Sequence, residues 1–302
     1  MQRTDAIFKL ACLLCACLAG LLMLGVLVQL SGHSLEAWQR FGLGFLWSCE
    51  WDPARELFGA WPNIVGTLLT TAVALCLAIP LSFVSALFVT ETPGWISRPL
   101  SHAVDLLAAI PSVIYGMWGL FVLAPLMQEH VQPALAAIPG TAWLFGEDYN
   151  GFGFLTAGLI LALMILPYMG AVMRDVLRMT PPMLREAAYG AGCTRLEATR
   201  DVVMRYGIRG ITGGIFIGMG RALGETMAVL FVIGNIMELP EGLFSGGTTI
   251  SATLANNFAE SRGLEQSSLF ALGLILLVMS IGIQAISRYY LHMTSARRGE
   301  KH

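Results

Sequence analysis

The chain has 302 residues, of which 56% are hydrophobic and only 13% are charged, and its formal net charge at pH 7 is −2. Its mean hydropathy is +0.68. A folded chain of this composition has too little polar surface to cover itself in water, which excludes a soluble globular protein and predicts a protein of the lipid bilayer. We expect no nucleic-acid partner.

Six apolar stretches approach the ~20 residues that a helix needs to cross the hydrocarbon core. A secretory signal peptide is the alternative for the first stretch. That stretch is longer than the usual apolar core of a signal peptide and no clear cleavage site follows it, so we interpret it as a membrane anchor. The pattern predicts an all-α integral membrane protein with six transmembrane helices, at residues 7–30, 64–89, 106–127, 152–173, 211–236 and 269–286.

The distribution of basic residues orients these spans, because Lys and Arg are retained on the cytoplasmic side during insertion. Most of the 18 basic residues lie in residues 1–9, 91–105, 174–209 and 288–302. The predicted outward loops are acidic instead, with Glu50, Asp52, Glu147, Asp148, Glu238 and Glu241 among their residues. We therefore expect both termini to be cytoplasmic.

The segment 31–63 is the longest predicted outward loop, and it is rich in aromatic residues. Trp settles at the depth of the lipid headgroups in many membrane proteins. We therefore favour an interfacial aromatic belt over a surface that docks a partner protein. The aromatic residues are Trp38, Phe41, Phe45, Trp47, Trp51, Phe58 and Trp61.

Four prolines interrupt the predicted spans: Pro80, Pro111, Pro125 and Pro167. Proline has no backbone N–H and removes a helical hydrogen bond, so it bends a helix or opens a carbonyl towards a cavity. We expect bent helices at these positions, which suit a protein that opens and closes.

An arginine-rich segment, residues 180–209, separates the fourth and fifth spans and is called the cytoplasmic connector here. Thr180 is expected to cap a helix whose first turn accepts the proline pair 181–182. Gly190 and Gly192 are expected to end that helix. The sequence 194–197, Thr-Arg-Leu-Glu, then predicts a capping box that starts a second helix. The connector should therefore consist of a helix, a sharp turn and a helix.

The fifth stretch contains two opposite charges, Arg221 and Glu225. They are four residues apart, so they share one face of a continuous helix and can pair along it. Burying either charge alone costs on the order of 3 kcal/mol on insertion scales, so both should face protein or water. One interpretation is a structural salt bridge. The other is a translocation pathway, in which the forked donors of Arg221 bind an oxyanion such as phosphate and Glu225 holds the arginine in place.

A second polar patch covers residues 246–252, followed by Asn256 and Asn257. A turn that leads into a short interfacial helix is the simplest interpretation. Backbone amides in such a loop can also hold an anion. The six cysteines predict neither a disulfide nor a metal site, because four lie in apolar stretches, Cys193 is expected on the cytoplasmic side and Cys49 faces outward without an evident mate. We expect no cofactor.

The connector resembles the EAA signature of ABC importer permeases, the loop that docks on the ATPase subunit. The resemblance is carried by Glu186, Ala187 and Ala188, followed after three residues by Gly192. It implies that these four residues, together with Arg185, couple the chain to an ATPase. The signature usually ends in Ile-x-Leu-Pro, and residues 202–205 of this chain are Val-Val-Met-Arg.

The chain as a whole resembles the PstC-type permease subunits of phosphate-specific ABC importers. The matching blocks are residues 41–53, 58–60, 79–82, 109–119, 185–192, 220–229 and 251–256. The resemblance implies the type-1 ABC importer permease fold, with a cytoplasmic coupling helix and a substrate pathway that contains Arg221 and Glu225. It also implies three partners besides phosphate: a second permease of the PstA type, a dimer of PstB-type ATPases and a periplasmic phosphate-binding protein.

On this basis the chain divides into three parts. Residues 1–63 form an N-terminal transmembrane helix and periplasmic loop, residues 64–287 form the ABC transmembrane type-1 permease domain, and residues 288–302 form a cytoplasmic tail. The predicted location is the bacterial inner membrane.

We expect a non-catalytic permease subunit of an ATP-driven phosphate importer, because the chain has no Gly-rich phosphate loop followed by Lys-Ser/Thr. An ion-coupled secondary transporter or channel for an oxyanion is the alternative, since it would also place Arg and Glu at mid-depth. Such a protein has no need for the cytoplasmic connector. An intramembrane enzyme is disfavoured, because the sequence has no His-Glu-x-x-His pair and no recognised serine or aspartate constellation.

Overall fold

The computed structural model describes residues 2–140, 142–146 and 149–299, and most of these residues are helical while none belongs to a β-strand. Glu147 and Asp148 of the predicted outward loop and residues 300–302 of the predicted tail lie outside the described residues. The α-helices are α1 (Gln2–His33), α2 (Leu35–Phe41), α3 (Trp61–Glu91), α4 (Gly94–Ala109), α5 (Ser112–Trp118), α6 (Ala124–Leu126), α7 (Gln132–Ala136), α8 (Ala142–Phe145), α9 (Phe154–Arg178), α10 (Pro182–Gly190), α11 (Arg195–Ala198), α12 (Met204–Leu223), α13 (Met227–Leu230), α14 (Ile250–Asn257) and α15 (Leu264–Gly299).

Among the described residues, four helices are long and apolar enough to cross a membrane. A fifth crossing is added if α4 and the bent segment Ser112–Ala136 count as one broken span. Helix α12 has 20 residues but also three arginines, which lower its apolar character. The count of six transmembrane helices therefore stays a prediction. The four helices correspond to Ile7–His33, Trp61–Glu91, Phe154–Arg178 and Leu264–Tyr289.

The third predicted span begins at the wrong residue. The chain is extended at Ile110 and Pro111, and the helix axis turns by 96° between Gly94–Ala109 and Ser112–Ala136. Proline has no amide hydrogen and disfavours helical geometry at the residue before it. Residues 106–109 therefore belong to α4, and the bend expected at Pro111 is confirmed.

The fifth predicted span, residues 211–236, is wrong as one continuous helix. Helix α12 ends at Leu223, with Gly224 as its C-cap, and only the single turn of α13 follows. Glycine has no side chain to stabilise a helix interior, and Thr226 leaves regular helical geometry at φ −115° and ψ −66°. Beyond α13 the chain turns back, because Gly247 donates to the carbonyl of Ile233.

The core lies between α3, α9 and α12, and small residues allow these helices to approach closely. A Cβ added at Gly158 of α9 would lie 2.4 Å from the side chain of Val73 in α3. A Cβ added at Gly218 of α12 would lie 2.4 Å from the side chain of Met169. Small residues at helix crossings are typical of membrane proteins, where close packing replaces the hydrophobic effect. Helix α15 then packs against α12 and α1.

The aromatic outward segment forms a second, smaller core. Phe45 and Phe58 are 1% and 2% exposed, and Phe41 packs against both at ring-centroid distances of 6.1 and 6.2 Å. Trp51 packs edge-on against Phe58 at 5.0 Å. The prediction of an aromatic belt is wrong for Phe45 and Phe58, because these rings bury one another. Trp47 remains two-thirds exposed.

Candidate functional site

The connector begins with α10, but Thr180 does not cap it. The N-cap is Pro181, in extended geometry, and no side chain caps this end of the helix. The hydroxyl of Thr180 is buried and has no hydrogen-bond partner. The proline pair explains the difference, because Pro182 takes the first helical position and moves the boundary one residue beyond Thr180.

The end of α10 is as predicted. The amide of Gly192 donates to the carbonyl of Tyr189, and the amide of Cys193 donates to the carbonyl of Ala188. This pair of bonds is the Schellman motif, which requires a left-handed residue at its turn. Gly192 supplies it with φ +87°. The glycine therefore sets the sharp turn between α10 and α11.

The capping box at the start of α11 is confirmed. The amide of Thr194 donates to the carboxylate of Glu197 at 2.8 Å, and the amide of Glu197 donates to the hydroxyl of Thr194 at 3.4 Å. Two hydrogen bonds from Thr194 lower the pKa of Glu197. The larger effect comes from the backbone amide of Thr194 and the smaller one from its hydroxyl. The carboxylate therefore stays charged and continues to cap the helix at neutral pH.

Arg185 is tied to the membrane-spanning part of the same chain. Its guanidinium donates to the carboxylate of Glu91, the last residue of α3, at 2.8 Å. Both side chains are about one quarter exposed. The resemblance had assigned Arg185 to contact with an ATPase, whereas the structure engages its guanidinium within the chain. Glu91 was not a predicted site residue, since nothing in the sequence links it to Arg185.

Most side chains of α10 are exposed, and four of them share one face of the helix. Met183, Glu186, Ala187 and Gly190 are exposed and follow the spacing i, i+3, i+4, i+7 of a single helix face. Ala188 points the other way and is 7% exposed. The exposed apolar side chain of Met183 was missed from the sequence, although its spacing from Glu186 and Ala187 could have indicated it.

Arg221 and Glu225 do not form the predicted pair. Helix α12 ends between them, so the four-residue spacing no longer puts them on one helix face. No salt bridge joins them among the described residues. The carboxylate of Glu225 instead accepts from the amide of Ala228 at 3.3 Å, so it helps to start α13.

The partner of Arg221 is an aromatic ring. The guanidinium carbon lies 4.2 Å from the ring centroid of Tyr168 in α9, which is a cation–π contact. The hydroxyl of Tyr168 donates to the carbonyl of Ala108 in α4 at 3.0 Å. Arg221 is itself exposed in the isolated chain. The contact holds the guanidinium over a fixed ring and leaves its N–H groups available.

The polar patch at residues 246–252 forms the turn and short helix that were predicted. Thr249 caps α14 by accepting from the amide of Ala252, and Ile250 donates to the hydroxyl of Thr67. The hydroxyl of Thr253 donates to Asn63 within the same buried network. These hydrogen bonds fix α14 against α3, although the side-chain nitrogen of Asn63 is buried without a partner.

The fold is that of ABC transporter membrane subunits. The chain superposes on the inward-facing MetNI methionine ABC transporter with a TM-score of 0.55, at 15% identity, over 81% of this chain and 99% of that one. It superposes on an amino acid ABC transporter with a TM-score of 0.51, at 14% identity, over 76% of this chain and 92% of that one. At these identities the similarity establishes the fold.

The family follows from sequence. Residues 78–292 match the model of the binding-protein-dependent transport system inner membrane component. Two proteins named phosphate transport system permease protein PstC are similar over nearly the whole chain. The one from Pasteurella multocida is 48% identical over 93% of this chain and 89% of its own length. The one from Haemophilus influenzae is 45% identical over 98% of this chain and 96% of its own length. The chain therefore belongs to the binding-protein-dependent inner membrane components of ABC transporters, within the PstC group of permeases.

Proposed function

We propose that this chain is a membrane permease subunit of an ATP-driven inorganic phosphate importer and forms half of its translocation pathway. The observation that carries this proposal is the similarity, along nearly the full chain, to proteins named phosphate transport system permease. The chain itself is non-catalytic, and a separate subunit hydrolyses ATP.

Three partners follow from membership of the PstC group. A second permease of the PstA type completes the pathway, a dimer of PstB-type ATPases docks on the cytoplasmic side, and a periplasmic phosphate-binding protein delivers the substrate. The exposed face of α10 that contains Met183 and Glu186 is the contact for the ATPase. Its small Ala187 lets a partner approach the helix backbone closely.

Three connections transmit movement of α10 to the membrane. Helix α9 leads directly into α10, α12 follows it through α11, and the ion pair of Arg185 with Glu91 ties α10 to α3. Closure of the ATPase dimer would therefore move α3, α9 and α12 together. Packed helices adopt two discrete arrangements more readily than a continuous range of intermediate ones. This movement would therefore switch the opening of the translocation pathway from one side of the membrane to the other.

The substrate pathway runs past Arg221. Guanidinium offers a planar fork of donors that matches a phosphate oxyanion, and the ring of Tyr168 fixes its position without neutralising its charge. Glu225 lies just beyond the end of α12, where it starts α13. Its role in the pathway is to place the polypeptide turn beside Arg221.

We infer that both termini lie in the cytoplasm. This orientation is supported by the concentration of basic residues in 1–9, 91–105, 174–209 and 288–302. It also puts α10 on the side where ATP is available. The segment 31–60 then lies in the periplasm, on the side of the phosphate-binding protein.

Uptake measurements in cells separate this function from ion-coupled transport. The chain is expressed in a bacterium that lacks its own PstC-type permease but retains the other subunits, and uptake of radiolabelled phosphate is measured. We expect uptake to be restored, to persist when an ionophore collapses the membrane potential at constant ATP, and to stop when ATP is depleted. Uptake that does not depend on ATP but does depend on the membrane potential would instead support an ion-coupled carrier.

A further inference from the structure

A cavity between α12 and α15 has a cationic lining. Its volume is about 500 Å³, and its polar lining residues are Arg221 from α12 with Gln284, Ser287 and Arg288 from α15. Ligand sites in proteins have volumes of roughly 300–1,000 Å³, so the space accommodates a small anion. No carboxylate is among the described residues that line it.

The two helices turn complementary faces to this cavity. Gln284, Ser287 and Arg288 follow the three- and four-residue spacing of one helix face. On the opposite wall, Gly220 lies beside Gln284. A Cβ added at Gly220 would be 3.6 Å from the side-chain nitrogen of Gln284. Gly213 borders open space, with nothing within 4 Å of an added Cβ. The glycines thus leave room between the two arginines.

The directions of the side chains bring the two charges towards one another. Side chains in an α-helix lean towards its N-terminus. In the predicted topology α12 and α15 cross in opposite directions, so Arg221 leans towards the cytoplasm and Arg288 leans away from it. Arg288 lies one residue before the end of the apolar span Leu264–Tyr289, which places the cavity in the cytoplasmic half.

Neither guanidinium is neutralised. Arg221 contacts the ring of Tyr168, and neither Arg221 nor Arg288 makes a salt bridge among the described residues. The hydroxyl of Ser287 donates to the carbonyl of Ile283, so the free donors are the two guanidinium groups and the amide of Gln284. An unpaired Arg221 at membrane depth is costly, and an anion bound between Arg221 and Arg288 removes that cost.

We propose that this cavity binds a phosphate group, with Arg288 and Gln284 contacting it together with Arg221. Forked guanidinium donors from two sides match the oxygens of a tetrahedral oxyanion. The inference rests on the proposed function, because it places phosphate at a defined site in the same pathway, on the cytoplasmic side of Arg221. The same chemistry also fits the headgroup of an anionic phospholipid, and the experiment distinguishes these two sources.

The test uses the purified complex of all membrane and ATPase subunits, without nucleotide and without the binding protein. In nanodiscs of phosphatidylcholine, equilibrium dialysis with radiolabelled inorganic phosphate gives the Kd. We expect Arg288→Gln and Gln284→Leu to weaken binding, Arg288→Gln by at least tenfold, and Arg288→Lys to retain part of the affinity. The matched control is Arg98→Gln, which removes an exposed arginine of α4 and should leave the Kd unchanged.

A second arm identifies a lipid. If the phosphate group belongs to a lipid, native mass spectrometry of the wild-type complex from phosphatidylglycerol nanodiscs should show one retained lipid. The Arg288→Gln complex should not retain that lipid. Equal binding of both ligands by wild type, Arg288→Gln and Gln284→Leu, or no binding of either by wild type, would overturn the proposal. ATP-dependent phosphate uptake by the wild-type complex is measured in parallel, so a failure of the importer function is recognised separately.

Discussion

The guanidinium of Arg185 donates to the carboxylate of Glu91 at 2.8 Å, across 94 positions of sequence. This bond joins the cytoplasmic connector to the end of α3. A docking helix held only by its two ends would pivot on its glycine turn. With a third attachment, we expect a push on α10 to be transmitted to α3 as well.

Breaking this ion pair should uncouple ATP hydrolysis from transport. Both side chains are about one quarter exposed, so Glu91→Gln should weaken the attachment by about 1 kcal/mol, at the upper end of the range for surface pairs and below that of fully buried ones. We expect phosphate uptake per ATP hydrolysed to fall several-fold while the complex stays assembled. Uptake and hydrolysis are measured together in proteoliposomes.

The exchange variant Glu91→Arg with Arg185→Glu provides the restoring test, because it rebuilds the pair with reversed charges. Glu56→Gln is the matched control, since it breaks the exposed pair of Arg40 and Glu56 in the outward segment. If phosphate uptake per ATP hydrolysed were as low in the exchange variant as in the single variants, the ion pair would not be required for coupling.

The exposed face of α10 should be required for binding the ATPase. Met183→Asp places a charge in the predicted interface, and Glu186→Lys reverses one. Each should reduce copurification of the ATPase by roughly tenfold, because central interface residues commonly contribute more than 1 kcal/mol. Glu238→Lys, an exposed change in the predicted periplasmic loop, serves as the control. Normal copurification with both α10 variants would remove this face from the interface.

Tyr168 should position Arg221 through its ring. Tyr168→Phe keeps the ring and loses the hydrogen bond to Ala108, whereas Tyr168→Leu loses both. Cation–π contacts contribute about 1 kcal/mol, so Tyr168→Leu should lower the initial rate of phosphate uptake about fivefold and Tyr168→Phe should lower it less. If both variants lowered the uptake rate by the same factor, the effect would come from the lost hydrogen bond and not from the ring.

The capping box should make the start of α11 sensitive to acid. Hydrogen bonds from Thr194 lower the pKa of Glu197, so the stabilisation is complete above the ordinary glutamate value of about 4.3 and is lost as the pH falls through the lower folded value. Thr194→Ala should reduce this dependence without removing it, because the backbone amide of residue 194 still donates to Glu197, and should cost about 1 kcal/mol of helix stability. Hydrogen exchange of residues 194–203, corrected for intrinsic rates, measures both effects.

The features that were predictable from sequence depend on neighbouring residues. The capping box at Thr194 and Glu197 and the glycine turn at Gly192 involve partners a few positions apart, and both are confirmed. The helical membrane fold followed from apolar stretches that each carry their own signal. The position of Thr180 was predicted wrongly, because two consecutive prolines shift a helix start in a way that a single capping residue does not reveal.

The site itself depends on contacts between distant segments, which spacing alone does not encode. Arg221 and Glu225 were paired on the assumption of an unbroken helix, and the break at Gly224 cancels that geometry. Tyr168 and Glu91 meet their arginines only after α9 and α3 have packed. The cavity beside Arg288 likewise exists only where α12 and α15 meet.

Reconstitution tests most directly the claim that this chain is a gate driven by a separate ATPase. Radiolabelled phosphate uptake is measured in proteoliposomes that contain either the purified chain alone or the chain with its permease, ATPase and binding-protein partners. We expect ATP-dependent accumulation only with all the partners, and no accumulation by the chain alone with or without an imposed potential. Accumulation of phosphate against its gradient by the chain alone would contradict the claim.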